Sequence, residues 1–190
     1  MDTQDKWQLA DWLRRDLEEL EVILNDIHPI GKDHLGSYLL PFNRIFLVGQ
    51  GRTGLIMRMF AMRLMQLGFS AFIVGDSTTP AIQPGELLIA ASGSGETEGV
   101  VRTARQAKTV GARLAVITSQ PESSLSKLSD QLTIIPGETT KISSTIKSYL
   151  PLASTLEQGV LLFLDCQVAW IAMQIGQTND TMMAKHANLE

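Results

Sequence analysis

Five short runs of nearly unbroken apolar residues constrain this chain more than any other feature in it. They are Ile45-Phe46-Leu47-Val48, Ala71-Phe72-Ile73-Val74, Leu87-Leu88-Ile89-Ala90-Ala91, Leu114-Ala115-Val116-Ile117 and Leu132-Thr133-Ile134-Ile135. A strand with one wet face alternates polar and apolar residues, so runs that do not alternate are covered on both faces. They predict strands at 45–49, 71–75, 87–91, 114–118 and 132–135. Segments with helical periodicity lie between them. Residues 53–67 place Ile56, Met59, Phe60, Leu64 and Leu67 on one face and end at Gly68; residues 97–109 end at Gly111; 124–128 form a short helix. Strands alternating with helices connect by right-handed crossovers. The predicted fold is therefore α/β: a doubly wound, five-stranded parallel sheet with helices on both faces, a Rossmann-like three-layer sandwich.

The flanks read as helices. Residues 5–27 are amphipathic, with Trp12, Leu13, Leu17, Leu20 and Leu24 on one face and Asp11, Arg15, Glu18 and Glu19 on the other; Pro29 and Gly31 stop the helix. A shorter helix runs to Leu40, ahead of Pro41. Residues 136–148 are a polar loop, 151–175 a long apolar helix and 178–190 a more polar helical end. A length of 190 residues fits one domain, 1–190, with the helices at 5–27 and 151–189 packing on it and in an oligomer. The four methionines Met57, Met59, Met62 and Met65 in one helix fit core or subunit contact better than a cofactor box.

In such sheets ligands bind at the carboxyl ends of the strands, and two loops there carry chemistry. Gly49-Gln50-Gly51-Arg52-Thr53-Gly54 follows the first strand, opens a helix and precedes a strand ending near Asp76. That spacing permits a dinucleotide site, although Arg52 projects a guanidinium where a pyrophosphate needs bare backbone, and suits bidentate binding of a phosphate. Ser92-Gly93-Ser94-Gly95-Glu96-Thr97 follows the third strand. Its hydroxyls, its glycines and the positive end of the next helix together make a cradle for a tetrahedral dianion.

These two loops resemble those of the sugar isomerase (SIS) family. The stretch Phe60-Ala61-Met62-Arg63-Leu64-Met65-Gln66-Leu67-Gly68, then Thr78-Thr79-Pro80-Ala81-Ile82, Pro151-Leu152-Ala153-Ser154-Thr155-Leu156-Glu157-Gln158 and the ending His186-Ala187-Asn188-Leu189-Glu190 resemble its 6-phospho-3-hexuloisomerase branch. The resemblance runs from about residue 9 to the end. It implies interconversion of 3-hexulose 6-phosphate and fructose 6-phosphate through an enediol, without metal or cofactor, by a homotetramer or dimer. It also implies hexulose-6-phosphate synthase as a functional partner. Carried over by position, Gly51, Arg52, Thr53, Ser92, Gly93, Ser94, Gly95, Glu96 and Thr97 would hold substrate and phosphate. Glu157 would be the catalytic base and His186 would act from a neighbouring subunit. In this chain Gln50, Thr53, Leu150, Ala153 and Lys185 depart from the family's usual residues, and Thr53 keeps the hydroxyl of the serine it replaces.

The residues themselves keep alternatives open. Glu157 shares a helix face with Leu161, Leu164 and Val168, where a charge is costly unless used or paired; a structural ion pair is the competing role, and Asp165 the competing carboxylate. A non-catalytic module that senses phosphosugars would lack such a base, and a nicotinamide-dependent oxidoreductase would use the first loop. Lys plus Arg is 16 and Asp plus Glu is 20, a net charge of 16 − 20 = −4, which argues against nucleic acid as a partner. No apolar run reaches the ~18 residues of a membrane span, the amino terminus is polar and acidic, and the lone Cys166 reads as a buried core residue. A cytoplasmic protein without a membrane partner is the expectation.

Overall fold

A computed structural model describes residues 9–30, 33–139, 142, 144 and 146–189. Its sheet has six strands: β1 (His28–Ile30), β2 (Arg44–Val48), β3 (Ser70–Ile73), β4 (Leu87–Ala91), β5 (Arg113–Thr118) and β6 (Gln131–Ile134), in the order β1-β6-β5-β4-β2-β3. The five expected strands are parallel, and β1 adds an antiparallel edge, His28 opposite Ile134. This sixth strand corrects the five-stranded expectation. Three exposed residues around Pro29 carry no strand signal, and a proline fits an edge because it has no N–H to give to the ladder.

The helices are α1 (Leu9–Asn25), α2 (Leu35–Leu39), α3 (Gly51–Leu67), α4 (Glu98–Val110), α5 (Ser154–Gln174) and α6 (Asn179–Met183), with 3₁₀ turns at Ser126–Leu128 and Pro151–Ala153. Ile45, Leu47, Leu87, Ile89 and Ala91 point to a core covered by α1, α2, α3 and α5. Phe46, Val48, Leu88 and Ala90 point to a second core under α4. Both sheet faces are thus dry, which is why the strands read as unbroken apolar runs. Each large side chain so buried contributes about 1.5–3 kcal/mol relative to exposure.

Strand order reverses between β2 and β4. Chain following β2 crosses outward to β3, and chain following β4 crosses the other way to β5 and β6. The two glycine loops therefore leave neighbouring strands in diverging directions and leave a crevice between them.

Other expectations shift. In α1, Leu20 and Ile23 are buried, whereas Leu13 and Leu17 are exposed and Glu19 is half-buried. The helix packs against α5 through a polar as well as an apolar stripe. Residues 5–8 lie outside the described residues. Cys166 is exposed, not buried, because it faces away from the sheet on α5. By length and composition α5 is apolar enough to cross a membrane, polar interruptions notwithstanding; here it packs against α1, α2 and α3, with 28% of its most apolar window buried.

Candidate active site

A cleft of about 240 Å³ opens at the switch point, between the β2 and β4 loops and the start of α5. Two helices aim their amino ends at it. α3 begins at Gln50 and α4 at Thr97, and neither cap side chain bonds its own helix. Their first N–H groups and the positive ends of two macrodipoles thus face one space, which favours an anion there. Gly54 lets α3 start tight against β2, since a Cβ there would stand 2.8 Å from the Gly49 carbonyl oxygen.

The loop after β4 is pinned from below. The Gly93 carbonyl accepts from Ser119 N at 3.0 Å, Ser119 Oγ at 2.9 Å and Thr118 Oγ1 at 3.1 Å. Ser92 and Thr97 share a hydroxyl–hydroxyl bond of 2.9 Å across the loop, and Ser94 Oγ accepts from Glu96 N at 3.3 Å. Ser92 and Ser94 are buried at the cleft wall. Gly95 has φ +64°, the left-handed turn that brings the chain back toward α4.

Glu157 reaches the cleft from the first turn of α5, one-quarter exposed, and Arg52 reaches it from the start of α3. Arg52 Nε lies 3.3 Å from Glu157 Oε2, and its Nη1 donates to Ser154 Oγ at 2.8 Å. Burial pushes the Glu157 carboxyl above the ordinary glutamate range, while the Arg52 guanidinium pulls it down. The arrangement offers a proton-accepting carboxylate beside hydroxyls and helix amino ends, over an apolar floor of Ile117, Ile135, Leu156 and Val160.

Most residues singled out in the sequence meet here: Gly51, Arg52, Thr53, Ser92, Gly93, Ser94, Thr97 and Glu157 all line the cleft. Others do not. The Glu96 carboxylate turns to a separate groove, where it accepts from Ser124 N at 2.7 Å, so its side chain is a loop fastener. Gly95 shapes the turn without lining the space. His186 is exposed beyond α6, and its neighbour Lys185 lies against Gly68 at the far end of α3. A helix of 17 residues is about 25 Å long, so His186 cannot reach Glu157 of its own chain. Asp76 holds Arg58 with both oxygens, at 2.9 and 2.5 Å, which removes the free carboxylate that a dinucleotide ribose would require. Gln50 and Leu152, named in the sequence only as parts of their stretches, also line the cleft, and sequence reasoning missed Thr118, Ser119 and Thr139 there. Only Thr118 and Ser119 carried a signal, as polar residues at the carboxyl end of a central strand.

A switch-point cleft built to hold an anion, with a carboxylate beside it, is the arrangement of an α/β sugar-phosphate protein, and the chain belongs to the SIS-domain family, whose model matches residues 38–161. Over 181 residues it is 39% identical to the 3-hexulose-6-phosphate isomerase of Bacillus subtilis, covering 91% of this chain and 98% of that one. It is 41% identical over 160 residues to the 3-hexulose-6-phosphate isomerase of Mycobacterium gastri, covering 82% and 78%. A crystal structure from Methanococcus jannaschii, from which a 3-hexulose-6-phosphate isomerase function was inferred, superposes with a TM-score of 0.73 at 30% identity, covering 96% and 99%.

Proposed function

We propose that this chain is a 3-hexulose-6-phosphate isomerase, interconverting 3-hexulose 6-phosphate and fructose 6-phosphate. The observation that carries the reading is the Glu157 carboxylate in one cleft with the 92–97 loop, in a chain of this ancestry. Glu157 takes the proton from C2 of the open-chain 3-ketose, giving an enediolate, and returns it at C3 as the O2 hydroxyl proton passes to O3, which leaves the carbonyl at C2. Desolvation raises its proton affinity, which suits a general base. Phosphate sits against the 92–97 loop and the amino ends of α3 and α4, with Ser92, Ser94 and Thr97 as hydroxyl partners. Thr53 and Arg52 complete the binding wall. No step calls for a metal or an organic cofactor.

The oligomer is part of this reading. Leu55, Met59 and Met62 on α3, Leu162 and Met173 on α5, and Leu13 and Leu17 on α1 are exposed apolar side chains on the helices of one layer. A dimer or tetramer would cover them and bring His186 of one copy to the cleft of another. The proposed setting is the cytoplasm, with hexulose-6-phosphate synthase supplying the substrate. A phosphosugar sensor of the same fold has no use for a desolvated carboxylate in the cleft.

Glu157→Gln tests the assignment. It keeps the shape and cannot accept the proton, and loss of a general base costs about 10²–10⁴ in rate. Turnover should fall by that factor, exchange of the C2 hydrogen of the hexulose or the C3 hydrogen of fructose 6-phosphate with solvent deuterium should slow with it, and affinity for fructose 6-phosphate should hold within a few-fold. Wild-type exchange in the variant would move the base elsewhere.

A further inference from the structure

We infer that Glu19, on the outer helix α1, is a positioning residue for the catalytic turn: its carboxylate clamps both ends of the strained segment that carries Leu152 over the cleft and starts the helix of Glu157. The inference rests on the isomerase reading for its kinetic consequence and on geometry alone for the clamp. Glu19 Oε1 accepts from Tyr149 N at 3.2 Å and Oε2 from Thr155 Oγ1 at 3.0 Å. Thr155 is buried, and its hydroxyl also meets Ser148 Oγ at 2.7 Å. One carboxylate thus ties residue 149 to residue 155.

The five residues between those anchors need tying. Leu152 stands at φ +59°, ψ +27°, the only non-glycine with positive φ among the described residues. A leucine relaxes from the left-handed region when it is free to do so. Leu152 is 79% exposed, so its own packing does little to hold it there. It nevertheless lines the cleft, Ser154 two residues later receives Arg52, and Glu157 follows within one turn. The neighbourhood braces Glu19 in turn. Tyr149 OH donates to the Trp12 carbonyl at 2.5 Å, Arg15 lies over the Tyr149 ring at 4.4 Å, and Asp16 Oδ2 accepts from Gln158 Nε2 at 3.0 Å. α1 therefore reaches the chemistry through α5 without touching the cleft.

Two readouts test the clamp independently. Glu19→Ala should raise amide hydrogen exchange at least tenfold in peptides spanning 148–158 while leaving β4 and α4 unchanged. In the isomerase assay kcat should fall at least tenfold with KM within twofold, because the phosphate loop is untouched. Glu19→Gln, which can still bridge the two groups, should recover most of the rate. Thr155→Val removes one donor at constant volume, provides the test if Glu19→Ala does not fold, and should show the same split. The double variant should be no worse than Glu19→Ala. Wild-type exchange over 148–158 in folded Glu19→Ala, or in Thr155→Val, would overturn the clamp. Protected peptides lost together with an inactive wild-type enzyme would leave the clamp standing and overturn the isomerase reading instead.

Discussion

Arg52 and Glu157 set each other's behaviour. The guanidinium, half exposed, lies 3.3 Å from the carboxylate and holds down a proton affinity that burial has raised. On the proposed reading an incoming phosphate dianion would compete for the same cation, and a guanidinium drawn to phosphate would leave the carboxylate a stronger base. The sign is testable. Arg52→Ala removes the influence that lowers the Glu157 pKa, so the acid limb of kcat/KM, which reports the free enzyme, should move to higher pH than in wild type. Substrate ionisation is common to both profiles and cancels in the difference. An unmoved or lowered limb would mean that the pair is not coupled in solution.

At the level of elements, the loop after β4 depends on one glycine. A Cβ at Gly95 would stand 2.0 Å from Ser123 Oγ and 2.4 Å from Ser123 Cβ, on a backbone at φ +64°. Ser123 is itself buried and bonded to Ser126 Oγ at 2.8 Å, so it cannot step aside cheaply. Gly95→Ala should cost more than about 2 kcal/mol in urea unfolding and weaken fructose 6-phosphate binding with it. Gly75→Ala, at φ +101° with nothing within 4 Å, isolates the backbone share and should cost less. Equal losses would refute the packing account. The elements themselves were legible wherever burial on both faces wrote an apolar run, as for β2 and β4, or where a glycine closed a helix, as Gly68 and Gly111 do. β1 was not, since three exposed residues around a proline have no period to read. Arg52 and Ser94 stood out in their loops and Glu157 as a charge on an apolar helix face, its proposed role coming from the family resemblance. Glu19 could not: its partners are some 130 residues away, and an acidic residue on an amphipathic helix looks like solvent-facing charge until the neighbouring helix supplies donors.

The whole molecule presents its cleft and its carboxyl-terminal histidine at opposite ends of α3, about 25 Å apart, and carries exposed apolar side chains on the helices of one layer. If copies pair through those helices and share sites, mixing Glu157→Gln with His186→Ala should restore activity, because one site in each hybrid pair then has both residues intact. Stable hybrids with no activity would refute shared sites and assign both residues to the same subunit's site. The edges of the sheet bear on what such assembly can become. β1 is three residues long and holds Pro29, so it can offer at most two N–H groups to an incoming strand. That edge is a poor template for another chain, and growth by strand addition stops there. A concentrated solution of this protein is thereby guarded against fibre formation at its antiparallel border.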